Sequence, residues 1–276
     1  MKIDSHQHFW KYNTRDYGWI GDGMLSLATD RLPEHLDPVL RSFGFDGSIA
    51  VQARQSLEET EWLLSLADSN AWVKGVVGWA DLCSPGIDVT LRALSRHRKL
   101  VGMRHVLQDE QDDAFMLRPE FLRGIGCLKE YGLAYDILIL PKHLPAAVSM
   151  VQMFPEQRFI LDHCAKPFIR EKRLIPWETD IVRLAACRNV YCKASGLVTE
   201  ADWLQWTPAD FTAFLDVVFQ AFGADRVMIG SDWPVCTVAG TYAAVMGIVT
   251  DYIHALSASE RAAVLGGNAA RAYHLY

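Results

Sequence analysis

The chain has 276 residues, of which 50% are hydrophobic and 22% charged, a balance that excludes a disordered segment. Its formal net charge of -6 excludes the broadly basic surface that nucleic-acid binding needs, and a small molecule is the expected partner. No run approaches the roughly 18 apolar residues of a membrane span, and the first ten residues lack the pattern of a leader, so a cytoplasmic protein without membrane contact is expected.

Short β-branched runs alternate with amphipathic stretches from end to end. Strands are predicted at 2–5, 47–53, 73–79, 100–107, 133–140, 158–163, 190–194 and 227–231. Helical patterns lie between them at 57–69, 119–131, 142–154 and 208–222, with two more at 242–256 and 259–273. Strands apolar on both faces and separated by helices predict parallel pairing, and eight such units predict a single-domain (β/α)8 TIM barrel over 1–276. The rival, an open doubly wound sheet, needs a glycine-rich phosphate turn, and Gly21–Ser26 and Gly124–Lys129 both lack its third glycine. Two connections exceed what a barrel turn needs: 9–33, which carries Trp10, Tyr12, Tyr17 and Trp19, and the basic segment 165–176. The six cysteines form no Cys-x-x-Cys pair and are expected to be reduced packing residues, with neither Cys164 nor Cys236 marked as a nucleophile.

A barrel builds its chemistry at the C-terminal ends of its strands. The polar residues predicted there are His6 and His8 after strand one, Gln52 and Arg54 after strand two, and Arg104 and His105 after strand four. Later strands add His163, Lys193 and Asp232. His6 and His8 are two apart and share a face. With His163 and Asp232 they are expected to converge at one rim as a functional set. No Gly-x-Ser-x-Gly turn supports a serine hydrolase.

The segments His6-Gln7-His8-Phe9-Trp10, Val101-Gly102-Met103-Arg104-His105, Leu161-Asp162-His163-Cys164-Ala165-Lys166-Pro167, Cys192-Lys193-Ala194-Ser195-Gly196 and Gly230-Ser231-Asp232-Trp233-Pro234 together resemble the amidohydrolase superfamily. More narrowly they resemble its amidohydrolase-2 group, in the sugar-lactonase branch that includes L-fuconolactone and L-rhamnonolactone hydrolases. The resemblance implies a barrel hydrolase that opens a sugar (aldono-) lactone, in carbohydrate catabolism, with His6, His8, His163 and Asp232 around the scissile carbonyl. Arg104 and His105 stand where a metal-bridging lysine is found in binuclear relatives, and strand five carries no histidine, so the resemblance implies one zinc ion or none.

On this reading Asp232 activates water, and His6, His8 and His163 polarise the carbonyl directly or through one metal ion. Arg104 is expected either to donate to substrate or to hold a structural ion pair beneath the site, His105, Gln52 and Lys193 to donate to substrate, and Trp10, Trp203 and Trp233 to wall a sugar pocket. The alternatives are a decarboxylase of an aromatic or dienoic acid and a non-catalytic metabolite-binding barrel. The sequence leaves the choice of lactone and the oligomeric state open.

Overall fold

The computed structural model describes residues 1–275. All eight strands form where expected: β1 (Ile3–Gln7), β2 (Gly47–Val51), β3 (Val73–Gly78), β4 (Leu100–His105), β5 (Ala134–Ile137), β6 (Phe159–Leu161), β7 (Val190–Ala194) and β8 (Val227–Ile229). Each pairs in parallel with the next in chain order. The ring closes where the Asp232 amide donates to the His6 carbonyl at 2.8 Å and the His8 amide to the Trp233 carbonyl at 2.7 Å.

Helices α1 (Pro33–Ser42), α2 (Leu57–Ser69), α3 (Ile87–Leu94), α4 (Pro119–Leu128), α5 (Leu144–Met153), α6 (Trp177–Ala185), α7 (Ala209–Phe222) and α8 (Tyr242–Tyr252) surround the strands, followed by α9 (Ala258–Ala262) and α10 (Asn268–Ala272). Their starts are written locally. The Ser56 hydroxyl accepts from the Glu59 amide ahead of α2, and Ser257 and Glu260 form a reciprocal capping box at α9. The single helix predicted at 259–273 is instead two helices separated by a wider turn, Ala263–Gly267. A Cβ on Gly266 would sit 2.3 Å from the Met1 carbonyl oxygen, so the chain opens there to let the start of β1 pass.

Two apolar layers hold the barrel. The larger fills the space between strands and helices, with Leu63, Met103, Phe121, Phe159, Trp177 and Phe214 among its members. The smaller lies inside the ring, where Ile49, Val51, Val77, Val101, Ala134, Ile160 and Met228 meet Ala272 and Tyr273 from the C-terminal end. Two residues further along, the same inward face of β5 and β6 turns polar, at Asp136 and Asp162. The aromatic tyrosine plug therefore forms a floor, and charge is stacked directly on it: the Tyr273 hydroxyl donates to Asp136 Oδ2 at 2.7 Å.

Candidate active site

The strand ends bring His6, His8, His163 and Asp232 together, all buried. Asp232 Oδ1 lies 3.3 Å from His8 Nε2, 3.8 Å from His6 Nε2 and 3.8 Å from His163 Nε2. The three rings are held from behind. His8 Nδ1 donates to the Val51 carbonyl at 2.8 Å, which leaves its Nε2 as a lone pair aimed inward. His163 Nδ1 is paired with Ser195 Oγ at 2.9 Å. His6 Nδ1 stands between Asp162 Oδ1 at 3.3 Å and Lys193 Nζ at 3.1 Å.

Beneath the histidines is a buried ionic network that sequence reasoning missed at its centre. Asp162 accepts from Arg104 Nη1 at 3.0 Å and is ion-paired with Lys193 Nζ at 3.0 Å, and Lys193 also reaches Asp136 Oδ2 at 2.5 Å. Arg104 is fixed further by donating to the Gln52 carbonyl and to Gln52 Oε1, the latter at 3.3 Å. Its Nη1 also lies 3.3 Å from His6 Nε2. The signal for Asp162 was available: it sits two residues after Ile160 on the inward face of β6.

These contacts set the charges. Burial would raise the Asp232 carboxyl, but His163, His8 and His6 around it outweigh this and hold it below the usual carboxylate range. Burial pushes His163 down to about 4, partly opposed by Asp232 and Asp162, so its imidazole is neutral near pH 7. Burial also lowers His6, against the pull of Asp162. For Asp162 the order reverses, because Lys193, His6 and Arg104 overcome burial and keep it ionised.

The donor set fits one divalent ion. His6 Nε2 and His8 Nε2 face each other 3.2 Å apart. Two zinc–nitrogen bonds of about 2.0–2.1 Å at a tetrahedral angle place their nitrogens roughly 3.3 Å apart. The spacing of the two imidazoles matches that value, and Asp232 completes the group. The alternative group of His6, Asp162 and His163 is a weaker fit, since Asp162 is already neutralised by Arg104 and Lys193.

Above the cluster opens a cavity of about 620 Å³ into which His8, Arg104, His163 and Asp232 face. Its upper wall includes Trp19, Met24, Arg54, Lys166, Glu200 and Trp203. Of the three predicted tryptophan walls, Trp203 faces the cavity. Trp10 does not: it is fully buried, donates its indole N–H to the Thr29 carbonyl at 2.9 Å and packs on Tyr17. Trp233 is likewise turned away, edge-on to Phe9. The aromatic segment 9–33 contributes through Trp19 and Met24, while Trp10, Tyr17, Ile20 and Leu27 form its own small core.

Three predicted substrate donors also lie elsewhere. His105 points outward from β4, stacked on Phe115 and paired with Glu110 Oε1 at 2.7 Å, because alternation along the strand sends it opposite to Arg104. Gln52 and Lys193 are fully buried and act on Arg104 and His6, beneath the cavity. The cysteines are all free. Cys164 and Cys192, with sulfurs 3.7 Å apart, are buried in the layer outside the ring.

Gly196 makes room for His163. It adopts φ +60°, and a Cβ there would lie 2.4 Å from His163 Nδ1. Gly196→Ala is expected to lose about 1–2 kcal/mol from the left-handed backbone alone. Denaturant unfolding reads this directly, and an unchanged midpoint would contradict it.

Comparison with known proteins agrees with this architecture. The amidohydrolase family model matches residues 3–275. An L-fucono-1,5-lactonase of Burkholderia multivorans is 43% identical, covering 100% of this chain and 96% of the relative. A second L-fucono-1,5-lactonase, from Burkholderia ambifaria, is 36% identical with the same coverage of 100% and 96%. A crystal structure of an amidohydrolase from Burkholderia multivorans with bound zinc superimposes with a TM-score of 0.96 at 42% identity, covering all of both chains. A barrel of eight parallel strands whose first, sixth and eighth strands end in converging histidines and an aspartate, matched along its length by that family model, belongs to the amidohydrolase family.

Proposed function

We propose that the chain is a lactonase that opens a sugar lactone to its aldonic acid, with L-fucono-1,5-lactone the first substrate to try. The observation that carries this reading is the convergence of three imidazoles on Asp232 at the floor of a cavity sized for one sugar ring. The names of the relatives, at 43% and 36% identity, support the same substrate class.

Asp232 takes the proton of a water molecule as the water oxygen attacks the lactone carbonyl carbon. The tetrahedral oxyanion is stabilised by Arg104, whose guanidinium is held rigid by Asp162 and Gln52 before substrate arrives. The bond from carbonyl carbon to ring oxygen then breaks, and protonated Asp232 returns the proton to the departing alkoxide. A carboxyl held below its usual range starts ionised, as the first half requires, and once protonated gives the proton up readily in the second, while its strength as a base is reduced. His163, neutral near pH 7, can hydrogen-bond in the site without bringing a charge to it.

His6, His8 and Asp232, joined by His163, are the residues that would hold one divalent ion, for which zinc has the support of the zinc-bound relative, and it would supply Lewis-acid polarisation of the carbonyl. A carboxylated substrate, as a decarboxylase would need, fits the cavity less well. Arg54, one of the cations lining the cavity, is already paired with Asp16 at 2.8 Å and Glu58 at 3.6 Å.

The test is acid release from a panel of aldono-1,5- and 1,4-lactones, before and after chelation, with metal content measured on the same samples. Release above the spontaneous rate supports the reading, and none from any lactone overturns it. The acid limb of kcat/KM is expected to fall with an apparent pKa near 4, where His163 protonates, so activity persists through pH 5. A limb at the free-histidine value near 6.5 would contradict that assignment.

A further inference from the structure

We infer that Lys166 and Glu200 form a hydroxyl-reading pair that selects neutral, hydroxylated lactones over carboxylated or unsubstituted ones. The inference rests on the lactonase reading and goes beyond it to the basis of substrate choice.

The pair is built by an unusual backbone. His163, Cys164, Ala165 and Lys166 all have positive φ, between 52° and 58°, a left-handed turn of four residues none of which is glycine. Each such residue costs roughly 1–2 kcal/mol, so the turn persists only because its surroundings enforce it. It is closed by the Lys166 amide donating to the His163 carbonyl at 2.8 Å, and it sets both side chains into the cavity wall. The Glu200 segment is tied to the same loop by the Arg170 amide, which donates to the Glu200 carbonyl at 2.9 Å. Thr199 Oγ1 steadies the carboxylate, donating to Glu200 Oε1 at 3.3 Å.

Lys166 Nζ and Glu200 Oε1 are 4.0 Å apart, too far for a direct hydrogen bond. An oxygen about 2.8 Å from each atom fits between them and meets both at ordinary hydrogen-bond length. Only a group that is donor and acceptor at once satisfies both: it accepts from the ammonium and donates to the carboxylate. A hydroxyl does this. A carboxylate is repelled by Glu200, and a methylene leaves both half-buried charges unpaired, which is the strongest basis for rejecting an analogue. Because the turn starts at His163, the hydroxyl read is on the His163 side of the ring. The apolar face of Trp203, in the same wall, is free to pack on the ring carbons.

The experiment compares kcat/KM for L-fucono-1,5-lactone with that for δ-valerolactone, which has no hydroxyls, in the parent protein, Glu200→Gln and Lys166→Met. The ratio of the two values is expected to fall about 10- to 100-fold in each variant, the weight of a hydrogen bond to a charged group. Combining the substitutions should lower it little further, since both groups hold one hydroxyl. Glu200→Asp and Lys166→Arg should restore part of the ratio. A parent that hydrolyses both lactones, with a ratio unmoved in either variant, overturns this inference alone. Should the parent spare L-fucono-1,5-lactone, the hydroxylated lactone it opens fastest in the panel above takes its place in the ratio, and a parent that releases acid from no lactone of that panel overturns the lactonase reading and the inference with it.

Discussion

Replacing Asp162 with alanine is expected to destabilise the protein by about 3–5 kcal/mol, the usual cost of breaking a buried ion pair from one side. The reason is what remains. Arg104 is 4% exposed and Lys193 0%, and both are ion-paired with this one carboxylate. Without it, Lys193 keeps Asp136, but Arg104 is left with Gln52 and the His6 ring as its partners. His6 loses the carboxylate 3.3 Å from its Nδ1, which helps hold the ring toward Asp232. Denaturant unfolding measures the first effect and metal affinity the second. A stability change below about 1 kcal/mol would mean the two cations have other compensation than the contacts described here.

Asp232→Asn is expected to leave the fold intact and to lower kcat by about 10²- to 10⁴-fold, the range over which general acid–base groups contribute. The amide preserves the shape of the side chain and can still meet the imidazoles, but it cannot take a proton from water. Stability near pH 7 should fall modestly, because a carboxyl held below its usual range is favoured in its ionised form by the fold, and the amide gives up that stabilisation. Full turnover in the variant would move the proton-transfer role to another residue.

Much of this molecule was legible before any coordinates. Eight runs of β-branched residues, each able to be buried on both faces, leave few architectures other than a parallel barrel, and β7 begins and ends where its sequence pattern does. The strand ends were overextended at β5 and β8, where the residues after Ile137 and Ile229 are apolar or small, and at β6, where Asp162 and His163 follow Leu161, because these residues already turn away from the ladder to build the rim. His6, His8, His163 and Asp232 could be named because strand ends converge in a barrel whatever the loops do.

Side chains beyond that convergence were harder to place. Trp10 and Trp233 follow strand ends as Trp203 does, and only loop packing decides which tryptophan turns inward. His105 and Arg104 are neighbours in sequence and opposite in direction, and only the phase of the alternation along β4 decides which of them faces inward. Asp162 was overlooked because an aspartate before a histidine looks like a surface turn residue until Arg104 and Lys193 are seen to meet on it. Lys166 looked like one more charge in a basic loop, and only the left-handed turn carries it into the cavity.

The most direct test of the whole account is hydrolysis of L-fucono-1,5-lactone in water enriched in oxygen-18, with the product analysed by mass spectrometry before spontaneous opening contributes. Attack of water at the carbonyl, driven from Asp232, predicts protein-dependent entry of one labelled oxygen into the new carboxylate and none into the hydroxyl freed from the ring. Label in that hydroxyl, or acid formation no faster than in the protein's absence, would contradict it.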